Sequence, residues 1–216
     1  MNKNLFLTAS MLVNFVNHKH LIIDEFKEKL LNIKKSEKTV VDNLRIKKGL
    51  IHEENYFKEL SKKYKKVKNI KILNKLSKEE KIKETNDALK KGYELIYGGW
   101  LKSGNFRGEL DFLEINNNVK SNLGNWSYEI IDTKNSGKVK GDHIYQLSLY
   151  SFLLEEAQGI FPKNFYVLLK DKSKVPIMLN DVYASFLKQK NYFEKFMENE
   201  LNRKILEKIS FCSLRD

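Results

Sequence analysis

Asp132 and Lys134 stand two apart in WSYEIIDTK, where β-branched and aromatic residues predict a strand over 126–134. Side chains alternate across a strand, so Tyr128, Ile130, Asp132 and Lys134 share one face. The acid and the amine then lie about 7 Å apart along the chain. A carboxylate that can hold a hard cation, next to an ammonium that can steady developing negative charge, suits hydrolysis of a phosphodiester. An exposed Asp–Lys pair on an edge strand would leave the same letters. The spacing alone keeps both readings open.

The preceding segment, FRGELDFLEI, predicts a second strand with Glu109, Asp111 and Leu113 on one face and Leu110, Phe112 and Glu114 on the other. Asp111 sits among apolar residues, where a carboxylate is costly unless it has a partner. A cation shared with Asp132 would be such a partner; a half-exposed strand would also tolerate it. Gln146 and Tyr150 are four apart in the predicted helix GDHIYQLSLYSFLLEEAQG, so an amide and a phenol point together. They either face the acidic strands or form a core tyrosine with a polar rim. His52 lies in line with Tyr56 and Leu60 on an upstream helix. It reads either as a core histidine or as an imidazole donor to a divalent ion. Beside it, Glu53 is an outer partner of that ion or an exposed helix glutamate. Arg107, Lys138 and Lys140 flank the motif strands as candidate phosphate contacts or ordinary loop cations. Trp100 and Trp126 are better suited to packing than to stacking on bases.

These residues need elements to position them. Thr8 is expected to cap a short helix through Asn17, and IIDEFKEKLLNI predicts another. Asp42 is expected as the N-cap of a longer helix through Tyr64. A short β-like KIL follows in a densely basic stretch. Ser77 and Glu80 have capping-box spacing, with Gly92 as the stop. Strands are then predicted in YELIYGGWLK, FRGELDFLEI and WSYEIIDTK, followed by the helix holding Gln146 and the strand NFYVLLK. Residues 179–209 predict a long amphipathic helix or a helix pair. The pattern defines one α/β domain over 1–216 with a mixed central sheet of four or five strands, flanked by helices. Its helical N-terminal part spans about 1–90, its α/β core about 42–60 and 91–170, and its C-terminal helical part about 179–209.

Composition sets outer bounds. The chain has 216 residues, 41% of them hydrophobic, enough for one sizeable core, and its 2 prolines and 10 glycines mark no linker. Cys212 is the only cysteine, which excludes an intrachain disulfide and fits a reducing cytoplasm. No run of roughly 18 apolar residues predicts a membrane span, and the first residues lack the apolar core of a signal peptide. A soluble cytoplasmic protein is expected. The formal net charge of +12 favours polyanionic partners, although abundant lysine alone produces such a surplus.

Four motifs now stand in order: G-x-x-H-E at Gly49–Glu53, G-E-L-D-F at Gly108–Phe112, I-D-T-K at Ile131–Lys134 and Q-L-S-L-Y at Gln146–Tyr150. Together they resemble the RecB-like exonuclease branch of the PD-(D/E)xK nucleases, in particular a subfamily often joined to a helicase and related to CRISPR-associated RecB-like nucleases. The likeness runs from about Phe6 to Lys170. It implies a restriction-endonuclease-like fold and a Mg²⁺- or Mn²⁺-dependent deoxyribonuclease. The expected activity is that of an exonuclease on single strands or DNA ends. An endonuclease, a CRISPR-adaptation-type nuclease and a non-catalytic DNA-binding module remain open alternatives. The resemblance implies that His52, Asp111, Asp132 and the Thr133 carbonyl hold the ion. Lys134 would orient the attacking water and the phosphate, with Gln146 and Tyr150 bracing it. Many relatives also hold an iron–sulfur cluster through four cysteines. With Cys212 alone, no such cluster is expected. A helicase or another nucleic-acid-processing protein is the partner that the subfamily implies.

Overall fold

The structure is a computed structural model; it describes residues 6–18, 22 and 39–212, with side chains to residue 200. The predicted helix IIDEFKEKLLNI falls, Ile22 aside, outside the described residues. The elements, in chain order, are α1 (Ala9–Asn17), α2 (Val40–Leu60), β1 (Val67–Asn69), α3 (Lys78–Lys90), β2 (Leu95–Ser103) and β3 (Phe106–Asn116). They continue with β4 (Ser127–Thr133), α4 (Gly141–Gln158), β5 (Asn164–Leu168), β6 (Lys174–Met178) and α5 (Leu179–Cys212).

All six strands join one mixed sheet in sequence order. β1 runs parallel to β2, and β4 parallel to β5. The other neighbours, β2–β3, β3–β4 and β5–β6, are antiparallel. Each parallel pair is joined through a helix, α3 in the first case and α4 in the second, because a parallel partner cannot be reached by a tight turn.

The sheet is covered on both faces. Tyr56, Phe57 and Leu60 from α2 cover Leu95, Tyr97, Phe112, Ile131 and Leu168 on one side. The rings stack closely there: Phe57 and Tyr97 lie 4.3 Å apart, Tyr97 and Phe112 5.0 Å. The larger core on the other side takes Leu12 and Phe15 from α1, Ala88 and Leu89 from α3, Leu149 and Leu153 from α4, and Phe186 and Phe193 from α5. α4 is buried over most of its circumference, with His143, Ser148, Ser151 and Gln158 enclosed beside its leucines. That leaves its polar side chains to find partners inside the protein.

Several sequence expectations shift. The sheet has six strands, because KVPIM forms β6, an edge strand that tolerates Pro176. The short N-terminal strand is VKN; KIL follows it in a turn, where Leu73 N–H bonds the Ile70 carbonyl. Thr39 is the N-cap of α2. Asp42 sits at N3 and completes a capping box, its carboxylate accepting from Thr39 N at 3.3 Å. Residues 179–212 form a single helix.

The predicted alternation along β3 also breaks. Leu110 and Leu113 pack in the larger core while Phe112 packs in the smaller one. The cause lies on β2: Tyr97 pairs with Phe112 and Gly99 with Leu110, which sets Gly98 opposite Asp111. Gly98 has φ +68°, a conformation that kinks the strand and that only glycine adopts without penalty. Asp111 therefore lies where the sheet changes face. Among the described residues no helix is long and apolar enough to cross a membrane.

Candidate active site

The kink opens a cleft lined by Glu53, Lys71, Glu109, Asp111, Asp132, Thr133, Lys134, Gln146 and Tyr150, among others. Continuing the β3–β4 register one step beyond Phe112–Ile131 sets Asp111 beside Asp132. There the side chain takes over from the backbone: Asp111 Oδ2 accepts from both Thr133 N and Thr133 Oγ1, each at 2.8 Å. Asp132 is 1% exposed and forms a close ion pair with the Lys134 ammonium.

Gln146 ties this pair to α4. Lys134 Nζ donates to Gln146 Oε1 at 2.9 Å. The amide nitrogen donates to Asp132 Oδ1 at 3.4 Å and to Tyr150 Oη at 3.1 Å. The i,i+4 spacing of Gln146 and Tyr150 makes the last contact possible. Lys134 is thereby held by an acid on one side and an amide on the other, with little freedom to swing into solvent.

Burial pushes the Asp132 carboxyl up to about 7; Asp111 adds to the effect and the Lys134 ammonium opposes it. Burial and Asp111 likewise raise Glu53 to about 7, against the pull of Lys71. Lys134 is raised as well, for the opposite reason. Burial lowers its pKa, but Asp132 and Asp111 outweigh burial and hold it above the ordinary lysine value. Burial, with Lys134 and Lys140 nearby, depresses His143 to about 4. A neutral imidazole fits its contact, since Nδ1 accepts from Lys140 N at 3.2 Å.

Asp111, Asp132, Thr133, Lys134, Gln146, Tyr150 and Glu53 are thus brought together. His52 is not in the cleft itself. It lines an adjoining depression with Asn55, Tyr56, Glu59, Leu168 and Lys172. Its Nε2 is buried without a hydrogen-bond partner, and so are Glu53 Oε1 and Asp132 Oδ2, although a lysine ammonium pairs with each carboxylate. Glu53 Oε1 and Asp132 Oδ2 lie in the cleft and His52 Nε2 beside the depression; among the described residues the fourth such side-chain atom is Ser148 Oγ. Buried polar atoms left without partners are uncommon and call for a ligand. Among the described residues no three His, Cys, Asp or Glu side chains already converge as a metal shell; the two lysines sit between the acids instead.

A second, larger cleft of about 750 Å³ shares Glu109, Lys134, Gln146 and Tyr150 with the first and runs under α1. Arg107 and Lys140 line it with Lys78, Phe6 and Trp100, whereas Lys138 is exposed and outside it. Lys78 lies 5.2 Å from the Trp100 ring centroid, and Arg107 lies 4.2 Å from that of Phe6 while bonding Glu79 at 3.0 Å. Trp126 packs against Gly92 and Gly124 and donates to the Leu89 carbonyl at 3.2 Å, a structural role.

Sequence reasoning did not find Lys71. Its ammonium pairs with Glu53 and lies 3.9 Å from Glu109. The only local sign is the glycine pair Gly98–Gly99 in β2: a Cβ on Gly98 would collide with the Lys71 side chain.

Fold and site together define a mixed-sheet α/β protein with a buried acid–lysine cluster at a sheet kink. No family model matches the chain, and no curated protein does. It is similar to a solved structure described as "Crystal structure of SSO0001", at 17% identity over 82% of this chain and 85% of that one, with a TM-score of 0.30.

Proposed function

We propose that this protein is a divalent-metal-dependent nuclease that hydrolyses DNA phosphodiester bonds, with the motif arrangement of the RecB-like PD-(D/E)xK enzymes. One observation carries the reading. Lys134 is fixed between Asp132 and Gln146, with a second acid, Asp111, on the neighbouring strand where the sheet changes face.

The donor set suits Mg²⁺ or Mn²⁺, which prefer carboxylate oxygen, with imidazole acceptable to manganese. Asp111 and Asp132 would hold the ion, with His52 and the Thr133 carbonyl as further donors and Glu53 as an outer acid. When bound, such an ion lowers the pKa of a water and offsets charge on the reacting phosphate. The chain's own groups supply the rest. Lys134 presents a fixed ammonium to the attacking water and a non-bridging phosphate oxygen. Gln146 keeps that ammonium aimed, and Tyr150 keeps Gln146 from rotating. The new P–O bond forms from the water oxygen as the bond to the leaving oxygen breaks; the attacking water gives up one proton to solvent and the leaving oxygen takes one up from it.

The larger cleft favours an extended polyanion with unstacked bases. Lys78, Arg107 and Lys140 offer phosphate contacts, and Phe6 and Trp100 offer rings. An exonuclease acting on single strands or ends fits this best. The test is incubation of end-labelled linear, circular and single-stranded DNA with Mg²⁺, Mn²⁺ or EDTA. Metal-dependent loss of linear and single-stranded DNA, with circles intact, is expected. Cleavage of circles would make it an endonuclease. No cleavage of any substrate, or the same cleavage by Asp132→Asn, would remove the reading.

A further inference from the structure

Lys71 enters the acid cluster from the side opposite Lys134. Its ammonium pairs with Glu53 and lies 3.9 Å from Glu109. Asp111 also acts on it, alongside those two glutamates. Three carboxylates from two elements, Glu53 on α2 and Glu109 and Asp111 on β3, thus surround one lysine, while Asp132 is taken by Lys134 on the far side.

The lysine is built into this position. The backbone just before it is tied to the sheet, since Ile70 N–H bonds the Tyr97 carbonyl at 2.8 Å. The stem then crosses the backbone of Gly98, where any Cβ would collide with it. The ammonium ends 5.2 Å from the Tyr97 ring centroid, a ring that packs against both Phe57 and Phe112. A left-handed glycine in mid-strand carries a conformational cost, and here the space it frees is filled by one lysine side chain.

Two-metal phosphodiester hydrolysis places its ions about 3.5–4 Å apart and bridges them with shared carboxylates. A second ion in this cluster would need Glu53, Glu109 and Asp111, the group that Lys71 already occupies. We propose that Lys71 is a resident cation standing where a second divalent ion would otherwise bind, so that the protein takes a single catalytic ion. This rests on the nuclease reading above for the identity of the first ion.

Mn²⁺ binding to the metal-free full chain, measured by calorimetric titration and by electron paramagnetic resonance, tests it without any substrate. Wild type is expected to bind one ion per chain. Lys71→Met keeps the stem and removes the charge, and it is expected to bind two, with spin–spin broadening from the pair. Lys71→Arg keeps the charge and is expected to stay at one. Two ions in wild type, or one ion in Lys71→Met, would overturn the proposal. A misfolded Lys71→Met, seen by circular dichroism, is replaced by Lys71→Gln with the same criteria. A wild-type protein that binds one ion but cleaves no DNA would end the nuclease reading and leave this one standing. A wild type that binds none would end both.

Discussion

Gly108 and Tyr150 meet in contact: a Cβ on Gly108 would stand 2.6 Å from Cε1 of the tyrosine ring. The phenol therefore lies flush against β3, with its hydroxyl 3.1 Å from Gln146 Nε2 and so one hydrogen bond from the amide that aims Lys134. The glycine of G-E-L-D-F serves the lysine of I-D-T-K through two side chains of α4.

Gly108→Ala is expected to destabilise the protein by about 1–3 kcal/mol, the usual scale for overpacking a buried site. It should also slow cleavage by moving Gln146. Combining it with Tyr150→Leu should recover part of the stability, because the two sites share one space. Denaturant melts of the two single variants and the double variant check this. Additive losses would show that glycine and ring do not meet.

Asp132→Asn and Lys134→Met are each expected to reduce DNA cleavage by at least ~10²-fold, the effect of losing one preorganised charged group. Both should retain the wild-type circular dichroism spectrum. Gln146→Ala should act through Lys134 and lower kcat more than it raises KM. Equal rates in the Lys134 variant would show that its ammonium takes no part.

The acid cluster makes stability depend on pH in a defined direction. Asp132 holds its proton to about pH 7 in the folded chain but releases it near its ordinary value, 3.8, when unfolded. Between those values the folded state binds more protons, so this group's contribution to stability falls as pH rises and is level above about 7. In EDTA, Asp132→Asn should therefore gain on wild type between pH 5 and pH 8, by on the order of 1 kcal/mol or more. Comparing variant with wild type cancels the opposite trend of His143, whose depressed pKa adds stability as pH rises from about 4 toward 6.5. Urea midpoints at several pH values measure the difference, and parallel curves would contradict it. Mn²⁺ should bind more tightly over the same rise, since it competes with that proton.

His52 has a buried Nε2 without a hydrogen-bond partner, so removing the ring in EDTA sacrifices no hydrogen bond. His52→Ala is expected to melt near wild type without metal and to bind Mn²⁺ about tenfold or more weakly. An unchanged Mn²⁺ affinity would return His52 to a packing role and leave the ion to the carboxylates.

The parts of fold and site that local periodicity controls were legible in the residues. The strand through Asp132, the helix with Gln146 above Tyr150, the Thr8 cap and the Ser77–Glu80 box all follow from spacings within one element. What was not legible depends on distant pairing. Lys71 enters the cluster only because β1 lies parallel to β2 across the α3 crossover. The slipped alternation of β3 comes from a positive φ in a different strand. β6 was hidden by Pro176, which marks an interior strand as unfavourable but not an edge. Thr39 does not stand out in the residues because Asp42 is also a good capping residue, and only the reciprocal bonds assign the two roles.

The crossover through α3 has a kinetic consequence. β2, β3 and β4 are joined by antiparallel turns and can pair early, which brings Asp111 to Asp132. Lys71 must wait until β1 has closed on the sheet edge, a less local pairing that forms more slowly. A refolding molecule therefore passes through a stage in which Asp132 already has Lys134 beside it while Asp111 and Glu109 still lack the Lys71 ammonium. Added Mn²⁺ should capture that stage and speed the recovery of sheet signal after dilution from urea, more so in wild type than in Asp132→Asn. Rates indifferent to Mn²⁺ would mean that both edges of the sheet close together.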